Sequence, residues 1–405
     1  MFEKIIQSTD NLESVLVNIR RYLHQNPELS SRESNTANYI HKKLFEAGLE
    51  SSIVETSEGP AVIGYLKVDD EKETIAFRAD MDALPIVDSK IKAYSSKNEG
   101  VMHACGHDFN MTCILGTALV LASIKQELDV NVKFIFQPSE ESSVGGSEAL
   151  IQEKVMEGVD AIWTIHAIPS LPAGQIGIRY GPITSATDTF KIKIKGKAGH
   201  SARPNRAVDA IFVANQIINC LYSSIPRSID PLNPFVISIG KIHSGTAPNI
   251  IAEECEMEGT ARTFNLDIRE KIHDLIKLRS HTIGQAYDAR VDIKWSLGPP
   301  PVINDRILTY LTQETAASLI GADNVIKIQK PSMGAEDFSR YLKFAPGMLV
   351  RIGTGGEDAP FPLHSSLFDV DDKAIMIAVK LLSGICLNFQ QNKCESRDYI
   401  RSFSF

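Results

Sequence analysis

The chain has 405 residues, 43% of them apolar and 23% charged, and a net charge of −8. That length accommodates two or more hydrophobic cores, and the acidic balance, with no lysine- or arginine-rich run, argues against nucleic acid as the main partner. No stretch approaches the roughly 18 uninterrupted apolar residues of a membrane span, since "AIMIAVKLLSGICLNF" is broken by Lys380, and the charged "MFEKIIQSTDNLE" does not read as a secretory signal.

In chain order, "LVNIRRYLHQNPEL" and "NTANYIHKKLFEAG" predict helices, the second closed by Gly48. "TIAFRAD" (74–80), "VKFIFQPSE" (132–140) and "AIWTIHAI" (161–168) are apolar, β-branched runs that predict buried strands. "NMTCILGTALVLASIKQ" supplies a crossover helix between the first two. This is an α/β layer with polar residues gathered at strand ends: Asp80, Asp82, Glu140, Glu141 and His166. From 184 the pattern changes. The alternating strand "TFKIKIKG" is followed by the helix "AVDAIFVANQIINCLYSSI", the strands "PFVISIGKIH" and "ECEMEGTART", a helix with Ile268, Ile272, Leu275, Ile276 and Ile283 on one face, and the strand "RVDIKWSL". That order is βαββαβ, the ferredoxin-like arrangement, and it ends at "GPPPV", a hinge. The expected organisation is an α/β domain in two parts, 1–183 and 298–405, interrupted by an inserted α+β domain, 184–297.

"MHACGHDF" (102–109) places Cys105 and His107 in one short span and admits three readings: a disulfide half, a catalytic thiol or half of a metal site. Six cysteines (Cys105, Cys113, Cys220, Cys255, Cys386, Cys394) scattered through a long chain fit free thiols in a reducing cytoplasm. A nucleophilic cysteine needs a nearby base, which His107 could be. A metal site needs further donors, and "QPSEE" supplies two. Adjacent side chains on extended backbone point opposite ways, so one carboxylate can face a metal and the other a substrate. His166 in "WTIHAIPS" and His364 in "FPLHSSLFDVDD" complete a set of Cys, His, Glu, His and His, enough for one closed or two open divalent sites. Two metals roughly 3.5–4 Å apart can share a ligand and activate a water.

The segments "RRYLHQNPELS", "FRADMDALP", "MHACGHD", "FQPSEE", "GKAGHSARP", "GTARTF", "GAEDF" and "LHSSLFDVDD" occur in the order found in a known family. The chain resembles the di-metal amidohydrolases that include bacterial aminoacylase, hippurate hydrolase, N-acetyldiaminopimelate deacetylase and the plant auxin-conjugate hydrolases, relatives of carboxypeptidase G. The resemblance implies a mixed-sheet, zinc-peptidase-like catalytic domain with the insert acting as a dimerisation and lid domain. It implies that Cys105, His107, Glu141, His166 and His364 bind two divalent transition metals, zinc or manganese, with cobalt or nickel as further options; a thiolate ligand weighs against magnesium. Glu140 would be the general base, Asp82 would orient a ligand, and His200 would polarise the scissile carbonyl. Asn249 and Arg262 would grip the substrate carboxylate, with Glu336 lining the same pocket. The implied substrate is an N-acyl amino acid, with a dipeptide or a peptide carboxyl end as the alternative, and the implied assembly is a homodimer or higher homo-oligomer; composition and cysteine usage add the expectation of a cytoplasmic protein that engages neither membrane nor nucleic acid.

Three positions depart from the family pattern: Ala252 replaces a proline after the substrate-binding asparagine, Ser366 replaces a proline after the last histidine ligand, and Asn110 stands where many members carry histidine. None removes a candidate ligand. His24 and His103, also within matched motifs, are expected to serve packing and hydrogen bonding.

Overall fold

A computed structural model of the chain describes residues 2–391 apart from Ser143 and Asp358. Cys394 lies outside the described residues; the other five cysteines are free thiols. Two compact units are present, one comprising the chain up to Ile183, Ile303–Lys330 and the chain from Asp337, the other Thr184–Val302 and Pro331–Glu336.

The first unit begins with α1 (Phe2–Asn11), α2 (Glu13–Gln25) and α3 (Ser34–Glu46), then β1 (Glu50–Thr56), β2 (Gly59–Leu66), β3 (Thr74–Asp80), α4 (His107–Ser123), β4 (Asn131–Gln137), α5 (Gly146–Gln152), β5 (Ala161–Pro172) and β6 (Ile176–Ile178). The second unit contributes β7 (Ala186–Lys195), α6 (Ala210–Ser224), β8 (Phe235–Ser244), β9 (Glu254–Thr263), α7 (Leu266–Ala286) and β10 (Arg290–Leu297). The first resumes with α8 (Arg306–Ile320), β11 (Val325–Lys327), β12 (Gly347–Gly355) and α9 (Lys373–Gln391). Asp209, Asn265 and Asp305 start α6, α7 and α8 by accepting two backbone N–H bonds each.

The large unit holds an eight-stranded mixed sheet in the order β1-β2-β4-β3-β5-β12-β6-β11. Its centre, β4-β3-β5-β12, is parallel throughout. All of β3 is buried, which is why its sequence is a continuous apolar run rather than an alternating one. Phe77 of β3 packs against Phe134 of β4 and Trp163 of β5, all three with no exposure, each such burial contributing about 1.5–3 kcal/mol. Helix α4 is buried all round; a Cβ at Gly116 would meet Leu16 and Val379 at 2.8 Å, so that glycine lets α4 lie close to α2 and α9. Helix α9 has the length and apolar composition of a membrane span, yet most of it is packed inside this unit against α1, α4 and α8.

The small unit holds a four-stranded antiparallel sheet, β8-β9-β7-β10, the strand order of a ferredoxin-like βαββαβ module. Strands β7 and β9 alternate buried and exposed residues, and α6 and α7 cover the apolar side. This unit runs past 297. "GPPPV" folds back along its first strand, with Gly298 donating to Thr187 O at 3.0 Å and Val302 to Thr184 Oγ1 at 3.2 Å, and Gly334 O accepts from Ser185 N–H at 2.9 Å.

Candidate metal centre

Four parallel strands deliver the candidate donors. β3 closes on Asp80, and β4 leads through Pro138 to Glu140 and Glu141. His166 follows the last pair between β5 and β3, Thr164 with Arg78, and His364 follows β12. Sites in α/β sheets form just beyond such carboxyl ends. Cys105 and His107 come from the start of α4, where Gly106 between them has φ +85° and a Cβ would stand 3.0 Å from Ala167. Only glycine meets both demands, and it brings the two donors down onto β5.

Three sets lie wholly within the large unit: Cys105, His107 and His166; Cys105, Glu141 and His364; His107, Glu140 and Glu141. Within each set the donor atoms lie within 4.8 Å of one another, and Cys105 belongs to the first two. The first set is buried. The second stands at the rim, with the Glu141 and His364 side chains 20% and 53% exposed.

Backbone carbonyls fix both deep imidazoles. His107 Nδ1 is 2.8 Å from Asp82 O and His166 Nδ1 is 2.8 Å from Ala167 O. A carbonyl only accepts, so each Nδ1 carries the hydrogen and each Nε2 can present a lone pair inward, the orientation histidine ligands require. His166 Nε2 lies 3.5 Å from Cys105 Sγ. Burial, reinforced by Arg351, lowers the His166 pKa to about 3, keeping it a neutral donor. Burial opposes charge on His107 as well, but Asp80, Cys105 and Asp82 outweigh it and hold its pKa well above the usual value. Burial pushes the Cys105 thiol up to about 12, the reverse of what a nucleophilic cysteine needs, whereas a bound cation would stabilise its thiolate.

The donors fit a divalent transition metal. Among the described residues His107 Nε2 and Glu141 Oε1 are buried without a hydrogen-bond partner, and His364 Nε2 stands 3.3 Å from the glutamate oxygen. Mixed sulfur, nitrogen and carboxylate donors suit zinc and its first-row neighbours rather than magnesium. Asp82 braces the set: Oδ2 accepts from Ser30 Oγ at 2.7 Å and from the Glu141 N–H at 2.9 Å, and Oδ1 lies 3.2 Å from His107 Nδ1.

The remaining candidates lie in the small unit. His200 pairs with Ile250 in a two-residue ladder and is exposed; its Nδ1 accepts from the Ala202 N–H at 3.1 Å, leaving Nε2 as the donor. Asn249 is adjacent, its carbonyl accepting from Ser201 N–H at 3.1 Å. Arg262 on β9 commits one N–H to Met333 O at 2.9 Å, and Glu336 ends the short segment that contains Met333.

Two buried groups were not among the assigned residues. Asp80 Oδ2 stands 3.6 Å from His107 Nε2 and is held by Arg78 at 3.1 Å, while Asn110 donates to Asp80 Oδ1 at 2.9 Å. Its place at the end of an apolar strand was the available signal. Glu33 is wholly buried and accepts from the Ser139 N–H at 2.8 Å, beneath the turn carrying Glu140 and Glu141; no local spacing signals that role. His24 bonds Asp108 at 2.8 Å, while neither ring nitrogen of buried His103 has a hydrogen-bond partner among the described residues.

Known proteins share this arrangement of chain. Thermostable carboxypeptidase 2 of Saccharolobus solfataricus is 38% identical over 394 residues, covering 96% of this chain and 99% of its own. N-acetylcysteine deacetylase of Bacillus subtilis is 39% identical over 363 residues, covering 90% and 93%. The crystal structure of the Bacillus subtilis YXEP protein, described as a dinuclear metal binding peptidase from the M20 family, matches with a TM-score of 0.80 and 34% identity, covering 93% of this chain and 98% of that one. Residues 76–388 match the family described as Peptidase family M20/M25/M40. With relatives aligned over nearly their whole lengths, the chain is a metal-dependent amide-bond hydrolase and belongs to peptidase family M20/M25/M40.

Proposed function

We propose that the chain hydrolyses N-acyl amino acids to a carboxylate and a free amino acid. Two divalent transition metals, zinc or manganese, would be held by Cys105, His107, Glu141, His166 and His364. The observation that carries this reading is the pair of donor triads sharing Cys105, one buried and one at the rim. Bound cations would supply the Lewis acidity that makes water a nucleophile at neutral pH.

The chain's own residues account for the rest of the reaction. Glu140, beside the donors, takes the proton of the attacking water as its oxygen bonds to the carbonyl carbon. It returns that proton to the amide nitrogen as the C–N bond breaks, so the amine leaves neutral. His200 donates from Nε2 to the developing oxyanion. Arg262, with a planar fork suited to carboxylates, and Asn249 hold the amino-acid carboxylate, with Glu336 beside them. Asp82 keeps His107 and the Glu141 turn in register.

We further infer a cytoplasmic homodimer in which His200 serves the partner's site. The exposed edge strand β8 supports pairing of one small sheet with another, and the free thiols support a reducing compartment. The carboxypeptidase name of a relative 38% identical favours a second reading, cleavage of a carboxyl-terminal peptide bond by the same residues. Assay of N-acyl amino acids, dipeptides and longer peptides separates the two, using protein stripped of metal and then reloaded one metal at a time. Faster turnover of N-acyl amino acids after zinc or manganese is expected. A clear preference for peptides transfers the assignment to the second reading, and full activity in verified metal-free protein removes both.

A further inference from the structure

We propose that Arg20 is a positioning residue for the metal centre. Its guanidinium ties the segment carrying Cys105 and His107 to the loop carrying His364, and metal affinity depends on that tie through His364. The inference rests on the di-metal reading above and extends it to a residue that belongs to none of the donor sets.

Arg20 lies on α2 within "RRYLHQNPELS", a motif that the hydrolytic site leaves unexplained, and it is fully buried. Its Nε donates to Asp108 Oδ2 at 2.8 Å and its Nη2 to Asp369 Oδ1 at 2.6 Å, while Nη1 lies 3.7 Å from Asp372 Oδ1. Asp108 directly follows His107, and Asp369 shares the loop "HSSLFD" with His364. Both carboxylates are braced from behind: His24 bonds Asp108 at 2.8 Å and Tyr94 donates to Asp369 Oδ2 at 2.7 Å. The two segments also touch directly, His364 N–H donating to Ala104 O at 2.8 Å. A guanidinium fork fixes both separation and angle between two carboxylates, which a lysine's point charge does not.

The dependence falls on His364 because of how the two sides are held. His107 is anchored by its own helix and by Asp82 O. His364 sits on a loop with its side chain half exposed and its backbone at φ +64°, a left-handed conformation that persists only where the surroundings enforce it. Arg20 reaches that loop through Asp369.

The test is a double-substitution cycle on metal-free protein: wild type, Arg20→Lys, His364→Ala and the pair. Cobalt(II) binding is followed by its visible absorption against a competing chelator, and folding by thermal melting without metal. Arg20→Lys should melt cooperatively yet bind the weaker cobalt ion at least about tenfold less tightly. In the His364→Ala background it should cost less than about threefold. If Arg20→Lys does not fold, Asp369→Asn is read the same way. Wild-type cobalt affinity in the variant, or an equal loss in both backgrounds, overturns the proposal alone and makes Arg20 an ordinary buried ion pair. Failure of the wild type itself to bind cobalt overturns the di-metal reading and this proposal together.

Discussion

The two sheets of this chain follow opposite rules. In the large one, β3 is buried along its whole length, β4 nearly so and β5 over its first seven residues, and the candidate donors gather toward and beyond the carboxyl ends of these strands. In the small one, β7 and β9 alternate, and the open face carries ion pairs such as Lys193–Glu254 at 3.2 Å and Lys241–Glu258 at 3.2 Å. A scaffold packed on both faces cannot shift its strand ends without disturbing its core, so it suits donors that must converge to fractions of an ångström. A sheet packed on one face keeps exposed surface and unpaired edges, which suits recognition. In our reading the first holds the metals and the second handles the substrate.

Substitutions sharpen that contrast. The largest effect is expected at the end of β4: Glu140→Gln should lose about 10²–10⁴-fold in turnover with metal content unchanged, whereas Glu141→Gln should lose metal as well. Metal analysis beside steady-state kinetics distinguishes them, and the reverse pattern would exchange the two roles. In the small unit, His200→Ala should lower kcat by about 10²–10³-fold, typical of one oxyanion donor, with metal content intact. Mixing it with Glu140→Gln under subunit exchange should regenerate activity, because one composite site recovers both residues. Verified exchange without recovery would place His200 in its own subunit's reaction or outside the reaction.

A smaller effect concerns stability. Burial, with Asp82 adding, raises the Glu33 pKa from 4.5 to about 8 in the metal-free protein, although the Ser139 N–H favours the charged form. Between these values the folded state binds a proton that the unfolded state has released. Stability therefore falls as pH rises from about 5 to about 8, on the order of a few kcal/mol at about 1.4 kcal/mol per pKa unit. Glu33→Gln keeps an acceptor for Ser139 and removes the titration, so denaturant unfolding of the metal-free variant should show a flatter pH dependence. A slope equal to wild type would mean that Glu33 is already ionised. The smallest effect belongs to the open face of the small sheet, where Lys193→Ala should leave the melting temperature within experimental error, since an exposed pair contributes little.

Much of this fold is legible in the sequence where burial is uniform or strictly alternating. The runs "TIAFRAD", "ECEMEGTART" and "RVDIKWSL" are strands over the same residues. Boundaries set by special backbone are less legible. The crossover helix starts at His107 rather than Asn110 because left-handed Gly106 launches it, and "LVNIRRYLHQNPEL" stops being helical at Gln25, ahead of Pro27. Strands β1 and β2, a hairpin at the sheet edge, carry too little regular pattern to stand out. Around the site, Cys105, His107 and the two glutamates are marked by local motifs. The roles of Arg20 and Asp80, although both lie within matched motifs, and of Glu33 are not, because their contacts are made to distant segments: Arg20 meets Asp369 across 349 residues and Glu33 meets Ser139 across 106. No periodicity encodes a partner that far away.

The central claim is that one cysteine serves two cations. It is tested most directly by elemental analysis of protein loaded with zinc or manganese and freed of excess metal. The account predicts two metal ions per wild-type chain and fewer than one in Cys105→Ala, with a cooperative melt confirming that the variant is folded. Two ions retained by folded Cys105→Ala would contradict it.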